Sequence, residues 1–279
     1  MTLKYGLKLS QRASMAEYRE FWQLTEDAGF DHAWVMDHFA SIDHDEAGDI
    51  FEAWTMQAAM AVATSRVRIG CMVSGNTYRH PAEIAKMAVT VDHLSGGRLE
   101  FGFGAGWNVY EHDAMGLELG EPGPRLRRFE EAVQIVKSLW TKERTSFAGE
   151  HYTITDLVAE PKPVQQPVPF WIGGSGRRRT LRIVAQHADV WNWTGSDLAE
   201  FTDASNVLDG HCESIGRDPE EIRRSVQLRL PDGQDASLEL VADAVRRGAT
   251  EIIFIARTPN PMVDGDRLAA MLPRFRDLG

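Results

Sequence analysis

The stretch PAEIAKMAVTVDHLSGGRLEFGFGAGWN, residues 81–108, holds one complete unit of the pattern that sets the fold. Ile84, Met87, Ala88, Val91 and Leu94 recur at helical spacing; Pro81 suits the first turn and Gly96-Gly97 the stop. Leu99 to Phe103 then reads as a strand, left through the small-residue turn Gly104-Ala105-Gly106-Trp107-Asn108.

The same unit recurs on both sides. Upstream, Leu3, Tyr5, Leu7 and Leu9 alternate as a first strand, and Met15 to Ala28 carries Tyr18, Phe21 and Thr25 on one stripe before Gly29. Ala33–Met36 is a second strand ending at Asp37-His38, Phe51–Ala63 a helix, and Val67–Val73 a third strand. Downstream, Leu126, Phe129, Val133, Val136 and Trp140 make a helical face, and Val168–Ile172, Asp189–Asn192, Ser225–Arg229 and Glu251–Ile255 are strands five to eight. Residues 141–167 interrupt the rhythm: Thr145-Ser146-Phe147 and His151–Thr155 flank Gly149-Glu150 as a β-hairpin, and Pro161, Pro163 and Pro167 extend the path after it. Alternating β and α units imply a parallel sheet, and eight strands in about 255 residues favour a closed barrel. The first βα turn has no G-x-G-x-x-G, which weakens an open dinucleotide-binding sheet. The expectation is an α/β (β/α)8 TIM barrel over residues 1–279, one domain, with an insertion at about 141–167 between strands four and five.

A net charge of −11 argues against a nucleic-acid partner, and Arg177-Arg178-Arg179 is too short a basic run to reverse that. Met1 to Arg12 has no apolar signal core, and no apolar run approaches the ~18 residues of a membrane span. The two cysteines, Cys71 and Cys212, make no disulfide framework and fit a reduced cytoplasm, with Cys71 an inert core residue. His32, His44, His187 and His211 have no metal-like spacing, so no metal site is expected.

In a (β/α)8 barrel the active site lies at the C-terminal strand ends. There, His38 is the acid/base candidate, beside Asp37, although it could equally hydrogen-bond a loop. Gly173-Gly174-Ser175-Gly176 would let backbone approach a phosphate, with a helix from Arg177 to Gln186 aiming its amides at the anion and Arg177 adding charge; a plain tight turn is the alternative. Glu111-His112-Asp113 is either a second polar cluster or a solvated loop. Trp107 and Trp193 suit a planar ring at the mouth, or pack under the insertion.

Taken together, Asp37-His38, Asn76-Thr77-Tyr78-Arg79-His80-Pro81, Leu94-Ser95-Gly96-Gly97-Arg98 and Gly102 to Trp107 resemble the luciferase-like oxidoreductases, and within them the F420-dependent branch. Pro161-Lys162-Pro163, Ile172 to Gly176 and Ala188-Asp189-Val190-Trp191-Asn192 extend the resemblance over nearly the whole chain. The resemblance implies coenzyme F420, with FMN as the alternative. It places Asp37 and His38 at the ring, a cis non-proline peptide near Met72-Val73-Ser74 behind it, and Thr77, Gly104 and Gly106 lining it. Backbone around Gly174, Ser175 and Gly176 would hold the phosphate. Some relatives carry a proton-donating glutamate where this chain has Trp107; a proton would then come from His38, Glu111, solvent or substrate. No basic cluster for a sugar phosphate is evident. The reading is a hydride-transferring oxidoreductase acting on a small organic substrate, commonly homodimeric in this family. The rivals are an FMN-dependent monooxygenase using O2, a cofactor-binding protein without turnover, and a non-redox barrel enzyme acting on a phosphorylated metabolite.

Overall fold

A computed structural model of the chain describes residues 3–9, 12–42, 48–256 and 260–279; His44 lies outside them. The strands run β1 (Lys4–Lys8), β2 (His32–Val35), β3 (Arg68–Cys71) with a two-residue continuation β4 (Ser74–Gly75), then β5 (Leu99–Gly104). After a separate pair, β6 (Thr145–Ala148) and β7 (Thr153–Leu157), come β8 (Phe170–Gly173), β9 (Val190–Trp193), β10 (Arg223–Leu228) and β11 (Glu251–Ile255). Parallel pairing runs β1–β2–β3–β5–β8–β9–β10–β11 and returns from β11 to β1, which closes an eight-stranded barrel. The β6–β7 pair is antiparallel and stands apart, at the segment expected to form a hairpin.

Helices α1 (Met15–Asp27), α2 (Ala53–Ala63), α3 (Pro81–Ser95), α4 (Val109–Met115), α5 (Pro122–Thr141), α6 (Thr180–His187), α7 (Leu198–Ser214), α8 (Gln234–Arg246) and α9 (Pro261–Arg276) follow the strands. Their limits have local causes. Ser14 and Glu17 close a reciprocal capping box on α1, and α3 starts on Pro81 and stops at left-handed Gly96. Among the described residues no helix is long and apolar enough to cross a membrane.

Period-two alternation gives each barrel strand two faces, and both are buried. Tyr5, Leu7 and Leu9 join the large cluster between strands and helices, whereas Trp34, Met72, Trp171, Val190 and Ile253 form a second cluster with Val73 packed on it. The rings of Trp34 and Trp171 lie 4.7 Å apart. Truncating Trp171, wholly buried, would cost about 3–5 kcal/mol by the usual cavity penalty.

Three expectations needed correction. The third strand, read as Val67–Val73, stops at Cys71 and resumes at Ser74; the cis non-proline peptide expected there is found between Met72 and Val73. The helix expected from Arg177 begins at Thr180. The region after β5, read as a loop, holds α4, capped by the Asn108 side chain and closed at left-handed Gly116.

Candidate active site

The C-terminal strand ends surround a cavity of about 560 Å³, within the ~300–1,000 Å³ usual for cofactor sites. Of the residues singled out from the sequence, Asp37, His38, Val73, Ser74 and Gly104 line it. So do Gly106, Trp107, Gly174 and Ser175. Thr77, Glu111, Gly176 and Arg177 do not.

Glu111 was expected to be a reacting group, and the structure seats it behind the wall. It is brought there by the first turn of α4, is 1 % exposed, and uses both carboxylate oxygens. Oε1 accepts from the Phe39 and Ala40 amides at 2.6 and 2.9 Å; Oε2 accepts from Tyr78 Oη at 2.6 Å and faces His38 Nδ1 at 2.7 Å. Burial by itself would raise its pKa, but the hydrogen bonds from His38, Tyr78 and Ala40 bring it down to about 2. An ionised carboxylate only accepts, so the His38 Nδ1 carries a proton and donates it. Nε2 is then left for the cavity that His38 lines. Trp107, 62 % exposed, packs edge-on against the imidazole at 5.6 Å.

Asp37 is tied down from the other side. Arg79 forks its carboxylate at 2.7 and 3.0 Å, the Gly75 amide adds a bond at 2.9 Å, and Arg79 also reaches Glu52 at 2.5 Å. Asp37 therefore fixes the end of β2 to β4, and its charge is already met. Thr77, expected to line the ring, is buried beneath Gly106 and holds His112 Nε2 at 2.7 Å. Gly106 is required at its place: its φ is +80°, and a Cβ there would lie 2.4 Å from Thr77 Oγ1. His112 in turn stacks on Tyr78 at 5.0 Å, so the polar cluster after β5 is a packed wall, and the solvated-loop alternative fails for Glu111 and His112.

Across the cavity, Gly174 turns the chain with φ +132° and donates to Asn192 O, while Ser175, Gly176 and Arg177 offer backbone amides with no partner among the described residues. Unpartnered amides just ahead of α6 are the donors that an anion would need. The Arg177 side chain contributes little: it is 53 % exposed and sits 3.9 Å from Asp203. Trp193 lies away from the mouth, buried against Trp191 and Phe201. Cys71 is buried, which pushes its thiol pKa well up, in keeping with an inert residue. Among the described residues no group of histidine, cysteine and acidic side chains could hold a metal.

The sequence reading missed a polar floor. Lys8 from β1 and Gln227 from β10 line the cavity together with Asn192 from β9, and Lys8 Nζ lies 2.8 Å from Gln227 Oε1. The signal was available, since all three stand at C-terminal strand ends.

Comparison with known proteins supplies the family. Residues 3–257 match the family described as luciferase-like monooxygenase. The chain is 32% identical over 243 residues to an F420-dependent glucose-6-phosphate dehydrogenase of Kineococcus radiotolerans, covering 85% of this chain and 71% of that protein. It is 30% identical over 239 residues to an FMNH2-dependent dimethylsulfone monooxygenase of Pseudomonas putida, covering 80% of this chain and 65% of the other. A solved F420-dependent secondary alcohol dehydrogenase, in complex with an F420-acetone adduct, superposes with a TM-score of 0.90 at 18% identity, over 99% of both chains. A match across the whole barrel, with a relative this close, means that the chain belongs to the luciferase-like monooxygenase family.

Proposed function

We propose that this protein is an F420-dependent oxidoreductase that moves a hydride between the deazaflavin C5 and a small organic substrate. The observation that carries the reading is His38, held by Glu111 with Nε2 free at the edge of a cavity whose opposite side is a turn of unpartnered backbone amides. The residues fit such a cofactor. Three unpartnered amides suit its phosphate. When bound, F420 supplies a two-electron hydride donor or acceptor.

The chain's own part is positioning and proton handling. Val73 and Met72 back the cavity, and the turn at Ser175 would hold the anionic tail of the cofactor. His38 Nε2 takes a proton from a substrate hydroxyl during oxidation and returns it during reduction, while Nδ1 stays with Glu111. Glu111 is a positioning residue, because a carboxyl already ionised at about pH 2 has no proton to give near neutrality. Trp107 donates only through its indole N–H, so it cannot replace the missing glutamate as an acid.

A second reading, an FMN-dependent monooxygenase, is favoured by the likeness to the dimethylsulfone enzyme. Titrating the purified protein with F420 and with FMN, followed by fluorescence anisotropy, separates the two. Tight F420 binding with turnover of reduced F420 against ketones, imines or activated alkenes supports the oxidoreductase. Preference for FMN supports the monooxygenase, F420 binding without any turnover supports a carrier, and binding of neither refutes the cofactor reading.

A further inference from the structure

The mechanism above leaves Lys8 unused, and its setting is unusual. Its residue is 8 % exposed, at the C-terminal end of β1, on the inward face between the outward Leu7 and Leu9. Its ammonium has two neutral acceptors: Gln227 Oε1 at 2.8 Å and the Met72 carbonyl at 3.5 Å. No carboxylate pairs with it among the described residues, since Asp37 is forked by Arg79. The other ionisable groups that act on it are the Cys71 thiol, which burial keeps protonated, and Arg229. Burial lowers its pKa to about 8, so the group is still mostly charged at pH 7. A buried ammonium without a counter-charge is costly unless something anionic meets it. The cavity it lines is open to a ligand.

We infer that Lys8 selects the cofactor: its ammonium at the cavity floor favours an anionic deazaflavin ring over the neutral oxidised ring of FMN. This role for Lys8 rests on the F420 reading and on ring chemistry. The 8-hydroxyl of the deazaflavin of F420 is conjugated to the pyrimidinedione, so its conjugate base spreads negative charge to both long ends of the tricycle. Either end brings that charge to the floor. The dimethylbenzene end of FMN carries no ionisable group, and its oxidised ring is uncharged at neutral pH. Gln227 serves as the positioning residue that holds Nζ toward the cavity.

The test compares F420 and FMN dissociation constants for the wild type and Lys8→Met, whose side chain has similar length and no charge. F420 should weaken by roughly ten- to a hundred-fold, the usual worth of a charge-assisted hydrogen bond, while FMN changes little. The absorption of bound F420 gives a second readout: its ionisation should move to higher pH in Lys8→Met. Gln227→Leu, which keeps the ammonium but frees it, should show a smaller loss in the same direction. Equal weakening of both cofactors would make Lys8 a shaping residue and overturn the inference. Unchanged binding of both would overturn it too, as would unchanged F420 binding with a raised substrate KM. If the wild type binds neither cofactor, the F420 reading itself fails and takes this inference with it.

Discussion

Replacing Glu111 by glutamine removes one charge and exchanges one acceptor for a donor, and the geometry dictates which end of the amide goes where. The Phe39 and Ala40 amides can only donate, so the glutamine oxygen must take the Oε1 place facing them. Its NH2 group then faces Tyr78 Oη and His38 Nδ1. The tyrosine hydroxyl can accept instead of donating. His38 can also accept, but only by moving its proton to Nε2, the nitrogen that serves the cavity. The fold survives, at a cost of about 1–3 kcal/mol for charged hydrogen bonds made neutral. The chemistry does not, because a neutral imidazole protonated on Nε2 cannot take a substrate proton. Loss of general-base catalysis costs about 10²–10⁴ in rate, and a wrong tautomer behind the histidine of a protease triad falls at the upper end of that range. The expected result for Glu111→Gln is therefore F420 binding near wild type, kcat down by about 10²–10⁴, and a proton on His38 Nε2 by nitrogen-15 NMR. A kcat close to wild type would refute the reasoning, and so would an Nδ1 proton that persists in the variant.

Four further outcomes follow from the same geometry. His38→Ala should bind cofactor normally and lose about 10²–10⁴ in kcat; normal turnover would remove His38 from the mechanism. Ser175→Asp puts a carboxylate at the unpartnered amides, so F420 and FMN should both bind about tenfold or more weakly, while a phosphate-free deazaflavin nucleoside is unaffected. Gly106→Ala meets both a positive φ and the Thr77 hydroxyl at 2.4 Å, and urea unfolding should show a loss of about 2–4 kcal/mol. Glu111 has a pKa depressed from 4.5 to about 2, so its contribution to stability is whole above about pH 4.5 and is lost as pH falls toward 2. Acid unfolding of Glu111→Gln should lack that component.

How much of this was legible beforehand depended on which signal each residue carried. The strands announced themselves by apolar period, and their C-terminal ends then named Asp37, His38, Gly104 and Ser175 with no structural help. Lys8 was passed over for a physical reason. Leu3, Tyr5, Leu7 and Leu9 were read only as an alternating first strand, and the residues between them went unremarked. In a barrel the other face is buried as well, so a lysine among them was itself the signal. Helix α4 was missed because its seven residues give too few turns for a period to show; only the pair Asn108 and Gly116 hinted at its caps. The role of Glu111 lay beyond the sequence. It meets His38 across 73 positions, through a contact that only the closed barrel creates.

Two histidines at opposite ends of one strand show why residue type alone would have misled. His32 opens β2 at the closed end of the barrel, and His38 follows just past its other end. His32 is wholly buried, with Glu100 at 3.8 Å and Glu251 at 3.6 Å, a setting that would make a protonated imidazole look well paired. Yet burial, then the charges of Lys4, Arg223 and Arg68, push its pKa well below 6.5, and both ring nitrogens lack partners among the described residues. Burial also raises Glu251 to about 7, against the pull of Arg223 and Lys4, so even its carboxylate is a weakened anion near neutrality. His32 is thus a neutral ring beneath the Trp34–Trp171 plug, unable to exchange a proton with anything outside. His38 has the reverse arrangement: one nitrogen committed to a firmly ionised carboxylate, the other facing an open cavity. What separates His38 from His32 is the asymmetry between its two nitrogens, which the C-terminal end of β2 supplies.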